Sequence, residues 1–399
     1  MTKSGLDERL ARHDVICFSS VDWGFIWQGQ HEIMSRFAAA GSRVLFVENT
    51  SVRAPRLSDL GRIAARARRW LDGAVRAPTD VPAGLTVYSP IVAPYPWSWW
   101  SRLVNRYLFV RPVRRLAAGL RDPLVWVFLP TPTVRDAVSA CRSAGGALVY
   151  YCVADFAEVA DDVEALRRSE TELVREADVV LVNGGELRER FRTLRRDVGI
   201  YPFGVDLRAF GGAPRPEPAD LARIARPRAG YIGGLHRHLE VDWLDHAAEA
   251  MPDVSFVLVG PIQTDLGSLR SRPNVHLLGQ KPHDELPAYV AGFDASLVPY
   301  AVTPFTASVV PTKLFEYLAL GGPVITTALP ELSRLQIPDG VVAIADGPES
   351  FAQHIREAVA RPPTPEERTR RREFAERVSW EGMLAEMMTA VESAIARRA

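Results

Sequence analysis

Short apolar runs alternate with amphipathic stretches along the first half of the chain. Ile33, Met34 and Phe37, which follow the first of these runs, recur at the spacing of one helix face. A strand, a helix and a second strand form the βαβ unit of a parallel sheet. The predicted strands of this half are at 14–20, 43–48, 85–88, 124–129, 147–152 and 179–183.

The same alternation begins again after 212–228, a stretch rich in proline, alanine and charge that predicts a linker. Two successive arrays of this kind predict two doubly wound, Rossmann-like α/β domains. In the second half we expect a strand and glycine turn at 229–234, a helix at 242–250, and strands at 254–260, 275–279 and 295–299.

The stretch 310–327 carries most of the chemical information. Its pattern predicts a helix that begins near Thr312, ends at Gly321 and precedes a buried strand. The N–H groups and partial positive charge of a helix N-terminus suit a phosphate, and Lys313 adds a full charge there. Glu316 lies three residues further on, on roughly the same face, where it could accept hydrogen bonds from vicinal ribose hydroxyls. The pattern favours a nucleotide-diphosphate site over an ordinary capped helix before a core strand.

This stretch resembles the donor-binding motif of GT-B glycosyltransferases, especially retaining enzymes of the family 4 type (glycosyl transferases group 1) and their bacterial surface-polysaccharide subgroup. The resemblance implies two Rossmann-like domains facing a cleft, with the acceptor bound by residues 1–210 and the donor by 211–379. It also implies that a late helix, 380–399, packs back on the first domain. The implied reaction moves a sugar from a nucleotide-diphosphate sugar to a glycan, lipid-linked or small-molecule acceptor, with retention and without metal or other cofactor.

The resemblance places the diphosphate and ribose on Lys313 and Glu316 and the nucleobase near Gly279. Two departures concern Ser308, which stands where many members have a first glutamate, and Gly234, which stands where an arginine is frequent. Arg237 is our choice to replace that arginine, and a solvated basic loop is the alternative. The donor-binding candidates are Gly233, Gly234, His236, Gly279, Gln280, Lys281, Thr306, Ser308, Val309, Thr312, Lys313 and Glu316.

Candidates for the acceptor side lie in the first half. The aromatic loop 19–30 follows the first strand, and ligands of doubly wound domains bind beyond strand carboxyl ends. Trp23 and Trp27 lie in this loop. Asp22 and His31 are titratable candidates for a general base, which an inverting enzyme would need and a retaining one would not. The alternative for His31 is a capping or surface residue.

Asp155, just past a predicted strand, is a further candidate for the acceptor side. Its alternative role is to cap the helix that follows.

Composition narrows the function classes. The 399 residues carry 48 basic and 48 acidic side chains, and this zero net charge argues against a general nucleic-acid binder. The three cysteines are far apart and make neither a metal-ligand spacing nor a disulfide framework, which predicts a reducing, cytoplasmic setting. We expect neither a signal peptide nor a membrane-spanning segment, because no apolar run is long enough.

Two basic stretches with interleaved aromatic residues, 62–76 and 94–110, predict contact with the inner membrane surface. The alternative is an amphipathic helix whose tryptophans pack in the core.

Two other function classes remain open. A two-domain NAD-dependent oxidoreductase is disfavoured because no Gly-x-Gly-x-x-Gly follows either first strand. A catalytically degenerate GT-B protein that acts as a nucleotide- or partner-binding scaffold is kept open by Ser308.

Overall fold

The strands of the computed structural model form two sheets, in two compact units. The N-terminal unit contains residues 1–201 and 384–399, and the C-terminal unit contains 202–383. The sequence placed these boundaries after residues 210 and 379. The structure describes residues 3–50, 75–76, 82–93, 95–142, 146–212 and 215–398.

The sheet of the N-terminal unit has the strand order β3-β4-β2-β1-β5-β6-β7-β8. All neighbouring strands are parallel except β3, which pairs antiparallel with β4. Because β1, β2, β5, β6 and β7 are buried at every residue, they appear in the sequence as continuous apolar runs. The strands are β1 Val15–Phe18, β2 Val44–Val47, β3 Val75–Arg76, β4 Leu85–Tyr88, β5 Leu124–Val127, β6 Leu148–Cys152, β7 Val179–Val182 and β8 Val198–Ile200.

The helices of this unit connect successive strands and bury one face each. Ile33, Met34 and Phe37, predicted as one helix face, are fully buried. The α-helices are Lys3–Leu10, Gly29–Ala39, Trp99–Asn105, Arg111–Ala117, Pro132–Cys141, Val163–Glu176 and Gly185–Phe191, with a π-helical turn at Arg106–Val110 and a 3-10 turn at Phe156–Glu158.

The C-terminal unit contains an all-parallel sheet with the order β11-β10-β9-β12-β13-β14. Here, as around β1, the strand order reverses beside the first strand, which is where doubly wound folds bind ligands. Its strands are β9 Arg228–Ile232, β10 Ser255–Val259, β11 Val275–Gly279, β12 Ala295–Val298, β13 Val324–Thr327 and β14 Ala343–Ala345.

The α-helices of the C-terminal unit pack on this sheet, and the chain's last long helix follows them. They are Leu207–Gly211, Val241–Ala250, Leu286–Ala291, Thr312–Leu320, Pro330–Arg334, Pro348–Ala360 and Pro365–Glu376, with 3-10 turns at Gly267–Ser271, His283–Glu285 and Thr306–Ser308. The final helix, Trp380–Ala396, begins in this unit and belongs to the N-terminal unit from Leu384 onward.

The predicted α/β fold class is confirmed by these two parallel sheets. The stretch 212–228, however, was predicted as a linker, and its described part packs into the C-terminal unit. Leu221 is fully buried there, and Asp220 accepts a hydrogen bond of 2.6 Å from Lys281. The described residues include no helix long and apolar enough to cross a membrane.

Candidate active site

The helix Thr312–Leu320 begins and ends where the sequence predicts. The residue before it, Pro311, makes no side-chain cap, so the first turn offers backbone N–H groups that no N-cap side chain satisfies. Leu314 and Leu318 are fully buried and fix the helix against the sheet. Gly321 ends it with φ 80°, a left-handed conformation that suits glycine. The helix is thus held rigidly with a polar N-terminus that can receive an anion.

Lys313 lies close to two tyrosine rings. Its Nζ donates a hydrogen bond to the hydroxyl of Tyr300 and lies 4.6 Å from the centre of that ring. The centre of the Tyr231 ring is 5.0 Å away on another side. These rings attract the ammonium group by cation–π interaction. Sequence reasoning found Lys313 but missed both tyrosines, whose only signal is an aromatic residue near the end of each strand.

The glycine turn after β9 approaches Lys313 closely. A Cβ at Gly233 would lie 3.2 Å from the Lys313 Nζ, and Gly233 has φ 131°, which favours glycine. A Cβ at Gly260, at the end of β10, would overlap the carbonyl oxygen of Gly233. Gly234 continues the turn, and its carbonyl oxygen accepts a hydrogen bond of 3.0 Å from the Tyr231 hydroxyl. The turn and the lysine therefore form one packed unit.

A basic loop, His236, Arg237 and His238, follows this turn. The His236 ring lies 5.7 Å from the Tyr300 ring, and its Nδ1 accepts the His238 backbone N–H at 3.2 Å. Burial, with the nearby charge of Lys313, lowers the pKa of His236 to about 4. Arg237 is exposed. The structure thus brings Lys313 and His236 together.

The loop before the helix uses its hydroxyl groups internally. Thr306 and Ser308 are buried, and their hydroxyls donate to the carbonyl oxygens of Ala301 and Phe305. These hydroxyls stabilise the loop itself. The sequence predicted them as candidates for binding the sugar donor. Val309, the C-cap of this short turn, is half-buried.

Glu316 and Thr312 lie on the helix with half-buried side chains. Glu316 is three residues beyond Lys313 and is followed by the fully buried Tyr317, whose hydroxyl accepts the backbone N–H of Ile232 at 2.9 Å. That bond ties the helix directly to β9. Consequently the helix that carries Lys313 and Glu316 is fixed against the strand that leads into the glycine turn.

The predicted nucleobase region lies at the end of β11, an edge strand. Gly279 has φ 69°, and it and Gln280 are exposed. Lys281 is engaged within the fold, because it pairs with Asp220 at 2.6 Å and lies 5.5 Å from the centre of the Tyr289 ring. The hydrogen bond with Asp220 raises the pKa of Lys281. Gly279 and Gln280 are therefore the candidates of this region that remain exposed.

His31 in the N-terminal unit is completely buried. Its Nδ1 accepts the backbone N–H of Gln28 at 3.0 Å, so its Nε2 carries the proton that faces the carbonyl oxygen of Asp22 at 3.2 Å. Its ring stacks between Trp27, at 5.2 Å, and Phe46, at 5.7 Å. This geometry favours the capping alternative over a general base. Asp22 contributes its backbone here.

The loop after β1 is anchored by a residue that sequence reasoning missed. Glu48, buried just past β2, accepts the Trp23 backbone N–H at 3.0 Å and the Ser89 hydroxyl at 2.6 Å. Trp23 is itself buried, with its ring edge toward Phe46. The available signal was an acidic residue directly after an apolar strand. These aromatic residues build the loop's shape.

Asp155 belongs to a cluster of ion pairs near the end of β6. Its Oδ1 caps the turn Phe156–Glu158, and its Oδ2 pairs with Arg167 at 2.6 Å and Arg190 at 2.9 Å. Burial would raise the pKa of Asp155, but the hydrogen bond from Arg167 and the charge of Arg190 hold it below its usual value. Asp155 therefore has the capping role that was the alternative to a role on the acceptor side. Across the described ranges, no group of three or more His, Cys, Asp or Glu side chains is placed to hold a metal ion.

Comparison with known proteins identifies the unit that carries Lys313 and Glu316. Residues 226–361 match the family described as glycosyl transferases group 1. The matched residues make up about a third of the chain, so this part of it is similar to that family. The protein TuaH of Bacillus subtilis (strain 168), named for teichuronic acid biosynthesis as a glycosyltransferase, is 29% identical over 184 residues. The match covers 44% of this chain and about half, 46%, of that relative's own length.

Solved GT-B structures resemble the whole chain. Sucrose-phosphate synthase from Thermosynechococcus elongatus has a TM-score of 0.69 at 17% identity, covering 96% of this chain and 100% of that one. Anabaena HepE in complex with UDP has a TM-score of 0.66 at 14% identity, with 95% and 100% covered. Trehalose-6-phosphate synthase from E. coli, bound with UDP-2-fluoro glucose, has a TM-score of 0.61 at 11% identity, covering 95% of this chain and 98% of that one. The predicted GT-B fold is confirmed.

Proposed function

We propose that this protein is a glycosyltransferase that moves a sugar from a nucleotide-diphosphate sugar to a glycan, lipid-linked or small-molecule acceptor. The observation that carries the proposal is the uncapped N-terminus of the helix Thr312–Leu320, with Lys313 against the glycine turn and Glu316 one turn deeper. The helix end and Lys313 would bind the diphosphate, and Glu316 would bind the ribose hydroxyls.

The relatives support this choice of donor. HepE was solved with UDP and with UDP-glucose, and the E. coli trehalose-6-phosphate synthase with UDP-2-fluoro glucose. A uridine nucleotide is accordingly the first donor to test. TuaH is named for teichuronic acid biosynthesis. The first acceptor class to test is therefore a bacterial surface glycan or its lipid-linked precursor. That acceptor class would place the protein on the inner face of the membrane.

In the proposed mechanism the chain's own cations stabilise the leaving diphosphate. As the bond from the sugar to the diphosphate breaks, negative charge grows on the diphosphate oxygens. Lys313, already positioned by Tyr231 and Tyr300, and the dipole of the helix would meet that charge without rearrangement. Arg237, exposed on the adjacent loop, is proposed to close over the same group. These groups supply the electrostatic stabilisation that the reaction needs without a metal, and retention of configuration is proposed from the resemblance alone.

The test begins with nucleotide binding in the presence of a chelator. UDP, GDP, dTDP, CMP and NAD are each titrated into the wild type, Lys313→Met, Glu316→Ala and a matched control, Glu357→Ala. Glu357 is an exposed helical carboxylate of the same unit. One nucleoside diphosphate should bind the wild type and the control and bind both site variants at least tenfold more weakly. Binding of NAD alone would overturn the assignment.

Turnover separates the enzyme from the scaffold alternative. That alternative keeps one supporting observation, since Ser308 stands where a first glutamate is frequent and its hydroxyl donates to Phe305 within its own turn. Wild type incubated with the matching nucleotide sugar should release nucleoside diphosphate, and proton NMR of the product gives the anomeric configuration. Nucleotide binding without any release, across glycan and lipid-linked acceptors, would favour the scaffold.

A further inference from the structure

A surface segment of the N-terminal unit buries two polar residues at its start and exposes several large apolar side chains. It consists of Trp99–Asn105, the π-helical turn Arg106–Val110 and Arg111–Ala117. Every fourth residue is buried, and the three between are mostly exposed. The buried residues are Ser101, Asn105, Phe109, Val113 and Ala117.

The first two buried positions are polar, and hydrogen bonds fix them. The Asn105 Oδ1 accepts the backbone N–H of Ala93 at 2.7 Å, and its Nδ2 donates to the Thr133 hydroxyl at 3.3 Å. The Ser98 hydroxyl accepts the N–H of Ser101 and caps the helix. These bonds determine which side of the segment faces the protein.

The opposite side, which we call the outer face, carries large exposed apolar side chains among arginines. Trp99 is 78% exposed, Leu103 50% and Tyr107 58%. Side chains four residues apart on a helix are neighbours, so these three form one row of exposed apolar surface, and such surface marks an interaction site. The other large exposed side chains of the outer face are Trp100, Val104 and Leu108.

The charged side chains of the segment itself have a single sign. No acidic residue occurs between residues 81 and 121, whereas the segment carries five arginines: Arg102, Arg106, Arg111, Arg114 and Arg115. Arg102 is paired, because its Nη2 lies 2.7 Å from Asp136. The other four form no ion pair with an acidic residue in the described part of the chain. Arg111 lies 4.3 Å over the Tyr107 ring, so the cation borders the apolar patch.

We propose that the outer face docks on an anionic phospholipid bilayer. Exposed tryptophan and tyrosine rings fit the boundary between acyl chains and headgroups, and the arginines along their edge would meet anionic headgroups. A second copy of this chain fits less well, because a twofold contact would bring two sets of arginines together. This docking rests on the proposed membrane-bound acceptor and does not depend on the donor site. The other predicted stretch, 62–76, lies outside the described residues except for β3.

Vesicle sedimentation tests the proposal with the full chain. Vesicles of phosphatidylcholine alone are compared with vesicles containing one third phosphatidylglycerol. The variants are Trp99→Ser with Tyr107→Ser, and Arg111→Gln with Arg115→Gln. Their matched controls are Val163→Ser and Arg168→Gln, which change an exposed apolar residue and an exposed arginine of the same unit.

We expect the wild type and the controls to bind the anionic vesicles, and to lose binding as salt rises. The double arginine variant should bind about twenty- to thirtyfold more weakly, since each arginine near such a surface contributes about a factor of five. The aromatic variant should also lose at least tenfold. Every variant should keep the wild-type melting temperature and nucleotide affinity. Loss of vesicle binding can therefore be distinguished from loss of donor binding.

Three results would overturn the proposal. The wild type could bind neither the phosphatidylcholine vesicles nor the vesicles that contain phosphatidylglycerol. The aromatic variant could melt well below the wild type, which would mean that another part of the chain covers the outer face. Finally, sedimentation equilibrium could give a wild-type dimer that the aromatic variant dissociates, which would assign the face to a second copy.

Discussion

The low pKa of His236 gives a prediction with a defined sign and size. Burial and the positive charge of Lys313 lower it from 6.5 to about 4, so the folded protein holds this ring neutral. The unfolded chain binds the proton at its ordinary value near 6.5. Between these two values the unfolded state carries more bound protons, so stability falls as the pH falls through this range.

The size follows from the two pKa values. Binding of the extra proton by the unfolded state between pH 7 and pH 5 should lower the free energy of unfolding by about 2 kcal/mol. His236→Gln removes the titrating group and should lose this part of the pH dependence. Stability attributable to the neutral ring is therefore complete above about pH 6.5 and is lost toward pH 4. Lys313→Met should raise the pKa of His236 because it removes a neighbouring positive charge.

Proton NMR of the histidine ring gives the pKa directly, and His236→Gln assigns the resonance. Urea unfolding at pH 7 and pH 5 then compares the wild type with the variant. Addition of a nucleoside diphosphate should move the His236 midpoint upward, because a nearby anion favours the protonated ring. A midpoint near 6.5 in the free protein, unchanged by any nucleotide, would refute both the burial argument and the place of His236 beside the diphosphate.

Three further predictions concern packing and reactivity. Gly260→Ala should lower the free energy of unfolding by about 2 kcal/mol or more in urea unfolding, because its Cβ would overlap the facing turn, whereas Gly24→Ala has open space and should be neutral. Arg190→Met should cost about 3 kcal/mol in the same assay by leaving Glu170 buried with fewer partners, and Glu170→Gln should restore part of that loss. Burial raises the pKa of all three cysteine thiols, so a thiol reagent at pH 8 should react far more slowly with the folded than with the unfolded protein.

The sequence predicted those parts of the fold that depend on local pattern. Fully buried parallel strands need apolar residues on both faces, so β1 and β10 stand out as continuous runs. The helix at Thr312 was equally readable, because its glycine stop, its lysine and its acid occur within a few residues. The stretch 212–228 misled because its composition is that of a linker, while Leu221 and Arg228 are buried by residues distant in sequence.

The finer properties of the site depend on contacts that no local pattern contains. Lys313 is held by Tyr231 and Tyr300, which lie on two other segments of the unit. His31 has the sequence context of a cleft base, yet its ring is enclosed by Trp27 and Phe46. Such enclosure is set by tertiary packing, and a sequence read one segment at a time lists the group without its surroundings.

Calorimetry with a ribonucleotide and its 2′-deoxy analogue tests the proposed contact between Glu316 and the ribose. The selected nucleoside diphosphate and its 2′-deoxy analogue are titrated calorimetrically into the wild type, Glu316→Ala and the control Glu357→Ala. The wild type and the control should prefer the ribonucleotide by about tenfold, which corresponds to the free energy of one hydrogen bond to a charged group, and Glu316→Ala should lose this preference. An equal preference in all three proteins would contradict the assignment of the donor site.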